Sequence, residues 1–164
     1  IILTKKKNRI ERKRKVISFI LICLIILTLA FIWGNSLDNQ TESSQKSMKV
    51  LEWITPVLEW FVGAGKVTEH LVRKLGHFTE FSLLGAEMAG LLIARRRLRF
   101  QGFVNCLFVG LSVAVIDETI QIFSHRGSQV QDVLLDFAGA FFGLLLIIVI
   151  HQIVRAFRKH KRHS

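Results

Sequence analysis

Four apolar runs, at residues 16–33, 75–94, 103–123 and 133–154, take up about half of this 164-residue chain. Each is close to the roughly 20 residues a helix needs to cross about 30 Å of hydrocarbon. Isolated strands could not satisfy their backbone groups in lipid, so helices are the expected form. A single proline, Pro56, and a composition that is 51% hydrophobic suit the same class. The fold class expected is therefore all-α: an integral membrane four-helix bundle.

The formal charge of +11 could suggest a nucleic-acid partner, but its placement argues against one. Basic residues gather at positions 5–15, 95–99 and 155–162, each segment flanking an apolar run. The two tails and the arginine loop hold 17 of the 23 Lys and Arg residues. Four crossings put all three segments on one side, and the positive-inside rule makes that side cytoplasmic. The expected division is a basic cytoplasmic tail at 1–15, a transmembrane domain at 16–154 and a second basic cytoplasmic tail at 155–164. Residues 35–74 and 124–132 then lie outside, with Trp33, Trp53 and Trp60 in the outer half, where interfacial tryptophans belong. The first run follows a basic leader but is longer than a typical signal-peptide core, so an uncleaved signal anchor is expected. Cys23 and Cys106 each sit inside an apolar run and read as small hydrophobes, not as a disulfide or metal pair.

Residues 48–72 are not a plain polar loop. Val50, Leu51, Trp53, Ile54, Val57, Leu58, Trp60 and Phe61 recur at helical spacing among Lys49, Glu52 and Glu59. The pattern predicts an outer amphipathic helical segment, bent near Pro56 and ended by Gly63-Ala64-Gly65. It could lie on the outer leaflet or pack on the bundle.

Polar side chains interrupt the last three runs. A charge at the bilayer centre costs about 3 kcal/mol on insertion scales, so such residues are paired, hydrated or used. His77 and Glu80 share a face near the outer end of the second run, and Glu87 continues that face about 10 Å deeper. At that depth Glu87 is expected to be protonated or paired. Asp117 and Gln121 share a face of the third run, with Glu118 rotated by about 100°. Ser128 and Gln131 have capping-box spacing, which would start the fourth helix and put Asp132 in its first turn, where the dipole favours an anion. Asp136 follows one turn deeper, and Arg126, the only Lys or Arg of that connection, is the natural partner for some of these acids. Apart from Glu87, these residues fall at one depth beneath the outer surface.

Each residue also has a bland explanation. Asp132 could serve only the helix terminus, Arg126 only anchor the interface, and His77 only sit at a polar boundary. Asp117, Glu118 and Asp136 are harder to dismiss, because nothing local in a helix interior rewards burying an acid. The candidate site is therefore His77, Glu80, Asp117, Glu118, Gln121, Arg126, Asp132 and Asp136. Three chemistries remain open. A divalent cation could be held by Glu80, Asp117, Glu118, Asp132 and Asp136, with or without His77. His77 and a protonated carboxyl could act as acid and base. The residues could also bind a headgroup without reaction. No nucleophile motif, phosphate loop or HExxH occurs, and whether the chain is an enzyme stays open. Gly139 and Gly143 form a GxxxG, and Ser82, Ala86 and Gly90 repeat its spacing, which promotes close helix packing.

Taken in order, these residues resemble a known family. Arg73 through Phe81, Leu84-Gly85, Asp117-Glu118 with Gln121 and Phe123, and Arg126, Asp132, Asp136, Gly139 and Gly143 look like the VanZ-like membrane proteins. The resemblance spans roughly residues 31–146. It implies a small multi-pass protein of the bacterial plasma membrane, in a family whose name-giving member is associated with reduced susceptibility to teicoplanin, a lipid-tailed glycopeptide. The expected partners are membrane lipids and a lipid-linked cell-wall precursor or the glycopeptide itself, and no nucleic acid. Two departures stand out. The polar stretch that often follows the family's first span is only partly kept in residues 31–37, and Glu87 matches no family position. The rival to modulation of glycopeptide action is an intramembrane, metal-dependent enzyme acting on a lipid or precursor headgroup. A proton- or ion-coupled transporter using Glu87 as a midplane relay is a third reading.

Overall fold

A computed structural model describes residues 2–63 and 65–161. Ala64 of the expected helix terminator, residue 1 of the first basic tail and residues 162–164 of the second lie outside the described residues. Among those described, the chain forms five helices and no strand: α1 Ile2–Ser36, α2 Gln40–Val62, α3 Glu69–Ala94, α4 Phe100–Phe123 and α5 Val130–His160. The all-helical expectation holds. The basic tails are not separate coils, since α1 and α5 continue through them as helix.

Among the described residues, three helices are long and apolar enough to cross a membrane: α1 from Asn8, α4 and α5. The sequence reading gave four such runs. The one that falls short is α3, whose stretch from Glu69 to Glu87 carries Glu69, Arg73, Lys74, Glu80 and Glu87 among its apolar residues. Yet α3 is central to the packing. It runs along α5 in the most extensive interface of the molecule and also packs against α1, α2 and α4. Of its polar residues, Glu80 and Glu87 bond to α1 and Lys74 pairs with Asp132 of α5, while Glu69 and Arg73 pair with each other.

Ile32, Phe81, Leu84 and Leu144 form an apolar core, but the rest of the distribution is not that of a water-soluble bundle. Phe19, Leu27, Phe108 and Ile122 are largely exposed, while Asp117, Glu118, Gln121 and Asp136 are buried. Exposed apolar flanks around buried acids fit a protein whose solvent is lipid.

Small residues set how closely α3 and α5 approach. A Cβ placed on Gly143 would overlap the Ser82 carbonyl, and one on Gly85 would overlap the Ala140 carbonyl. At Gly139 a Cβ would come within 2.6 Å of the Phe78 carbonyl. Backbone touches backbone along this line, as small-xxx-small packing permits. The matching positions on α3 are Phe78, Ser82 and Gly85. Gly90, which repeats the spacing in sequence, faces Leu21 of α1 instead.

The outer amphipathic segment forms α2, but it begins at Gln40, eight residues before the predicted start. Asn39 explains the early start. Its side chain accepts from the Glu42 amide while Glu42 reaches back to the Asn39 amide, a complete capping box. Gly63, at φ 93°, ends the helix in a conformation that L side chains rarely adopt. Trp53 and Trp60 project outward, 86% and 81% exposed.

At the other end of the bundle, Arg14 of α1 donates to the Ala94 carbonyl at 2.6 Å. This bond brings the first basic segment alongside the loop at Arg95, Arg96, Arg97 and Arg99.

Candidate functional site

The α3–α5 contact at Phe78 and Gly139 fixes the neighbouring turns, His77 on α3 and Asp136 on α5. Their nearest atoms, His77 Nδ1 and Asp136 Oδ1, are 3.6 Å apart, and Asp117 Oδ2 of α4 lies 3.7 Å from the same nitrogen. Glu118 completes the group. One donor atom from each of His77, Asp117, Glu118 and Asp136 lies within 4.8 Å of every other. Three helices thus bring four side chains to one point.

Two of the carboxylates are firmly held. Ser36 Oγ, at the end of α1, donates to Asp117 Oδ1 at 2.6 Å. The Gln121 amide donates to Asp117 Oδ2 at 2.9 Å and to Glu118 Oε1 at 2.8 Å, clamping the adjacent acids together. The Ser128 hydroxyl donates to the other Glu118 oxygen. Asp136 is different. It is fully buried, and neither of its oxygens has a hydrogen-bond partner among the described residues. His77 Nδ1 is likewise without one.

Ser128 was expected to cap α5. The N-cap is Gln129 instead, with no side-chain cap bond, because the Ser128 hydroxyl is engaged by Glu118. Asp132 does occupy the first turn of α5, and it pairs with Lys74 of α3 at 3.2 Å. Arg126 was expected to neutralise nearby acids. Its guanidinium donates to the Asn35 carbonyl at 3.1 Å, and among the described residues no Lys or Arg nitrogen lies within 4.0 Å of a carboxylate of Asp117, Glu118 or Asp136. Burial, and then the like charge of Arg73, lower the Arg126 pKa, while Asp117, Glu118 and Asp38 act in the other direction. Glu80 stands beside the cluster, accepting from Asn35 Nδ2 at 3.3 Å.

Of the eight candidates, His77, Asp117, Glu118 and Asp136 form the convergent group, and Gln121 holds two of them. Glu80, Arg126 and Asp132 surround it, each with its own partner. Glu87 is separate, buried and bonded to Thr28 Oγ1 at 3.0 Å. Asn35, Ser36 and Lys74 were not among the expected site residues, and Ser128 was expected only as a helix cap. For the first two a signal existed: Thr28, Ile32, Asn35 and Ser36 recur at helical spacing and so share one face of α1.

Above the cluster opens a cavity of about 280 Å³. His70, Arg73, Lys74 and Arg126 give its rim a basic character that Asp132, paired with Lys74, partly offsets, and the more buried His77, Glu118 and Asp136 form its floor. Gln40 contributes from α2. A ligand carrying an anionic group could be held at the rim and meet the carboxylates below.

The residues that form this arrangement fall inside a stretch that matches a known family. A model of the VanZ/LLP1 family matches residues 16–151, most of the chain. The chain belongs to the VanZ/LLP1 family. That match covers α3, α4, the α4–α5 loop and the part of α5 that bears the site. VanZ membership and the apolar helices together fit a membrane protein. No curated protein and no solved structure matches the chain.

Proposed function

We propose that this VanZ-family chain is a four-pass protein of the bacterial plasma membrane whose cavity faces outward and binds the anionic headgroup of an envelope lipid or lipid-linked cell-wall precursor. Binding there alters how the cell surface engages glycopeptides such as teicoplanin. The observation that carries this reading is the cavity itself, with a basic rim of Arg73, Lys74 and Arg126 above a buried cluster contributed by three helices. Guanidinium and ammonium groups match phosphate geometry and charge.

The orientation is supported by the opposite end of the molecule. Arg14 and the Arg95–Arg99 loop lie together there, as the positive-inside rule asks of a cytoplasmic face. With α3 as a crossing, both termini are cytoplasmic and the cavity opens outside. The exposed Trp53 and Trp60 of α2 suit the outer interface.

The test is teicoplanin susceptibility in cells expressing the chain. Asp117→Asn and Glu118→Gln should each raise susceptibility to the level of cells lacking the protein, at unchanged membrane abundance. Full protection in both variants would end this reading. A reaction at the headgroup is the second reading, favoured by the unpartnered His77 Nδ1 and Asp136 oxygens beneath the rim. It requires envelope lipids or wall precursors to change on deletion, which mass spectrometry would detect.

A further inference from the structure

We infer that His77, Asp117, Glu118 and Asp136 form a divalent-cation site at the floor of the cavity. The inference deepens the headgroup reading and rests on it for its purpose, because a cation there would face the anionic group held at the rim.

The first argument is geometric. Around a six-coordinate cation at about 2.1–2.3 Å, adjacent donors stand about 3.0–3.3 Å apart and opposite ones about 4.2–4.6 Å. His77 Nδ1 lies 3.7 Å from Asp117 Oδ2 and 3.6 Å from Asp136 Oδ1, and all four donors fit within 4.8 Å. The two His77 separations are too long for direct hydrogen bonds and lie between the adjacent and opposite spacings of such a shell, so the donors surround a common point without yet closing on it. Shifts of a few tenths of an ångström would close the shell.

The second argument comes from Asp136. Its carboxylate is fully buried, aimed into the cluster, and without a hydrogen-bond donor on either oxygen among the described residues. Buried polar atoms are nearly always satisfied, so a group left open on both oxygens needs a partner that the chain does not supply. His77 Nδ1 is open toward the same point.

Charge gives the third. Asp117, Glu118 and Asp136 can bring three negative charges into contact, with no Lys or Arg nitrogen within 4.0 Å among the described residues. A divalent ion would remove most of that repulsion. Ser36, Gln121 and Ser128 bond the Asp117 and Glu118 oxygens, as outer partners orient ligating carboxylates in metal sites. Three carboxylates with one imidazole suit a hard to borderline ion such as Mn²⁺ better than a thiophilic one.

The experiment uses the full chain in detergent micelles, without added lipid, titrated with Mn²⁺. One ion per chain should bind, and pulsed EPR should show coupling to a single imidazole nitrogen. Asp136→Asn should weaken binding by about 100-fold and Gln121→Leu by about 10-fold, whereas Glu87→Gln, at a buried acid outside the group, should leave it unchanged. His77→Gln should abolish the nitrogen coupling, and this readout serves should Asp136→Asn not fold. No saturable Mn²⁺ binding by the unaltered chain would overturn the inference, as would binding that keeps its strength in Asp136→Asn or its nitrogen signal in His77→Gln. The two readings separate cleanly. Mn²⁺ binding with teicoplanin protection indifferent to Asp117→Asn would retire the headgroup reading and uphold the cation site; sensitive protection without Mn²⁺ binding would do the reverse.

Discussion

The two ends of the bundle hold charge in opposite ways. At one end Arg14 and the arginines of the α3–α4 loop are numerous and mostly exposed, and Arg14 donates to a helix-terminal carbonyl. At the other end fewer charged groups are involved, but Asp117 and Asp136 have no exposed surface and Glu118 almost none. Charges exposed to water are solvated singly and cost little. Buried ones must be arranged, and an arrangement needs the helices to be in register. The number of charges therefore marks sidedness, whereas their burial and convergence mark the site.

That contrast can be attacked from both ends. The largest effect is expected from Gly143→Leu, which forces a side chain into the Ser82 backbone and parts α3 from α5. Overpacking of this kind should cost about 3 kcal/mol and disperse the cluster, seen as a lower midpoint of thermal unfolding in detergent and loss of teicoplanin protection. Ser36→Ala comes next. It leaves one oxygen of a buried carboxylate without its donor and should cost about 2 kcal/mol in the same unfolding measurement. The smallest effect belongs to the exposed end, where Arg97→Ala should change stability by less than about 0.5 kcal/mol. If Arg97→Ala proved as costly as Ser36→Ala, the distinction between the two ends would fail.

Much of the fold was readable because hydropathy and helix length are blunt, strong signals. Spans α1, α4 and α5 meet both. The helix α3 was found only by tolerating its acids, and those acids are what a hydropathy criterion penalises. The site was partly readable for a related reason: Asp117, Glu118 and Asp136 gain nothing locally from a helix interior, so their presence pointed to tertiary partners. Which partners could not be read. Lys74, and not Arg126, meets Asp132, because the choice depends on how the α4–α5 loop folds back on Asn35. Ser128 had the spacing of a cap, and a carboxylate from another helix outcompeted the local use. The GxxxG was visible but generic, and only the packed structure tells which α3 turn it meets.

The close seating of Gly139 and Gly143 against Phe78 and Ser82 has a mechanical consequence. His77 and Asp136 ride on two helices locked backbone to backbone, so neither can retreat from the other without breaking that seam. Asp117 and Glu118 arrive on α4, whose contacts with α5 and with α3 are each slighter than that seam. Should the chamber have to widen for an incoming molecule, α4 is the wall that yields, and it would carry both of its acids away together. A disulfide tying α4 to α5 would then slow entry without displacing His77 or Asp136.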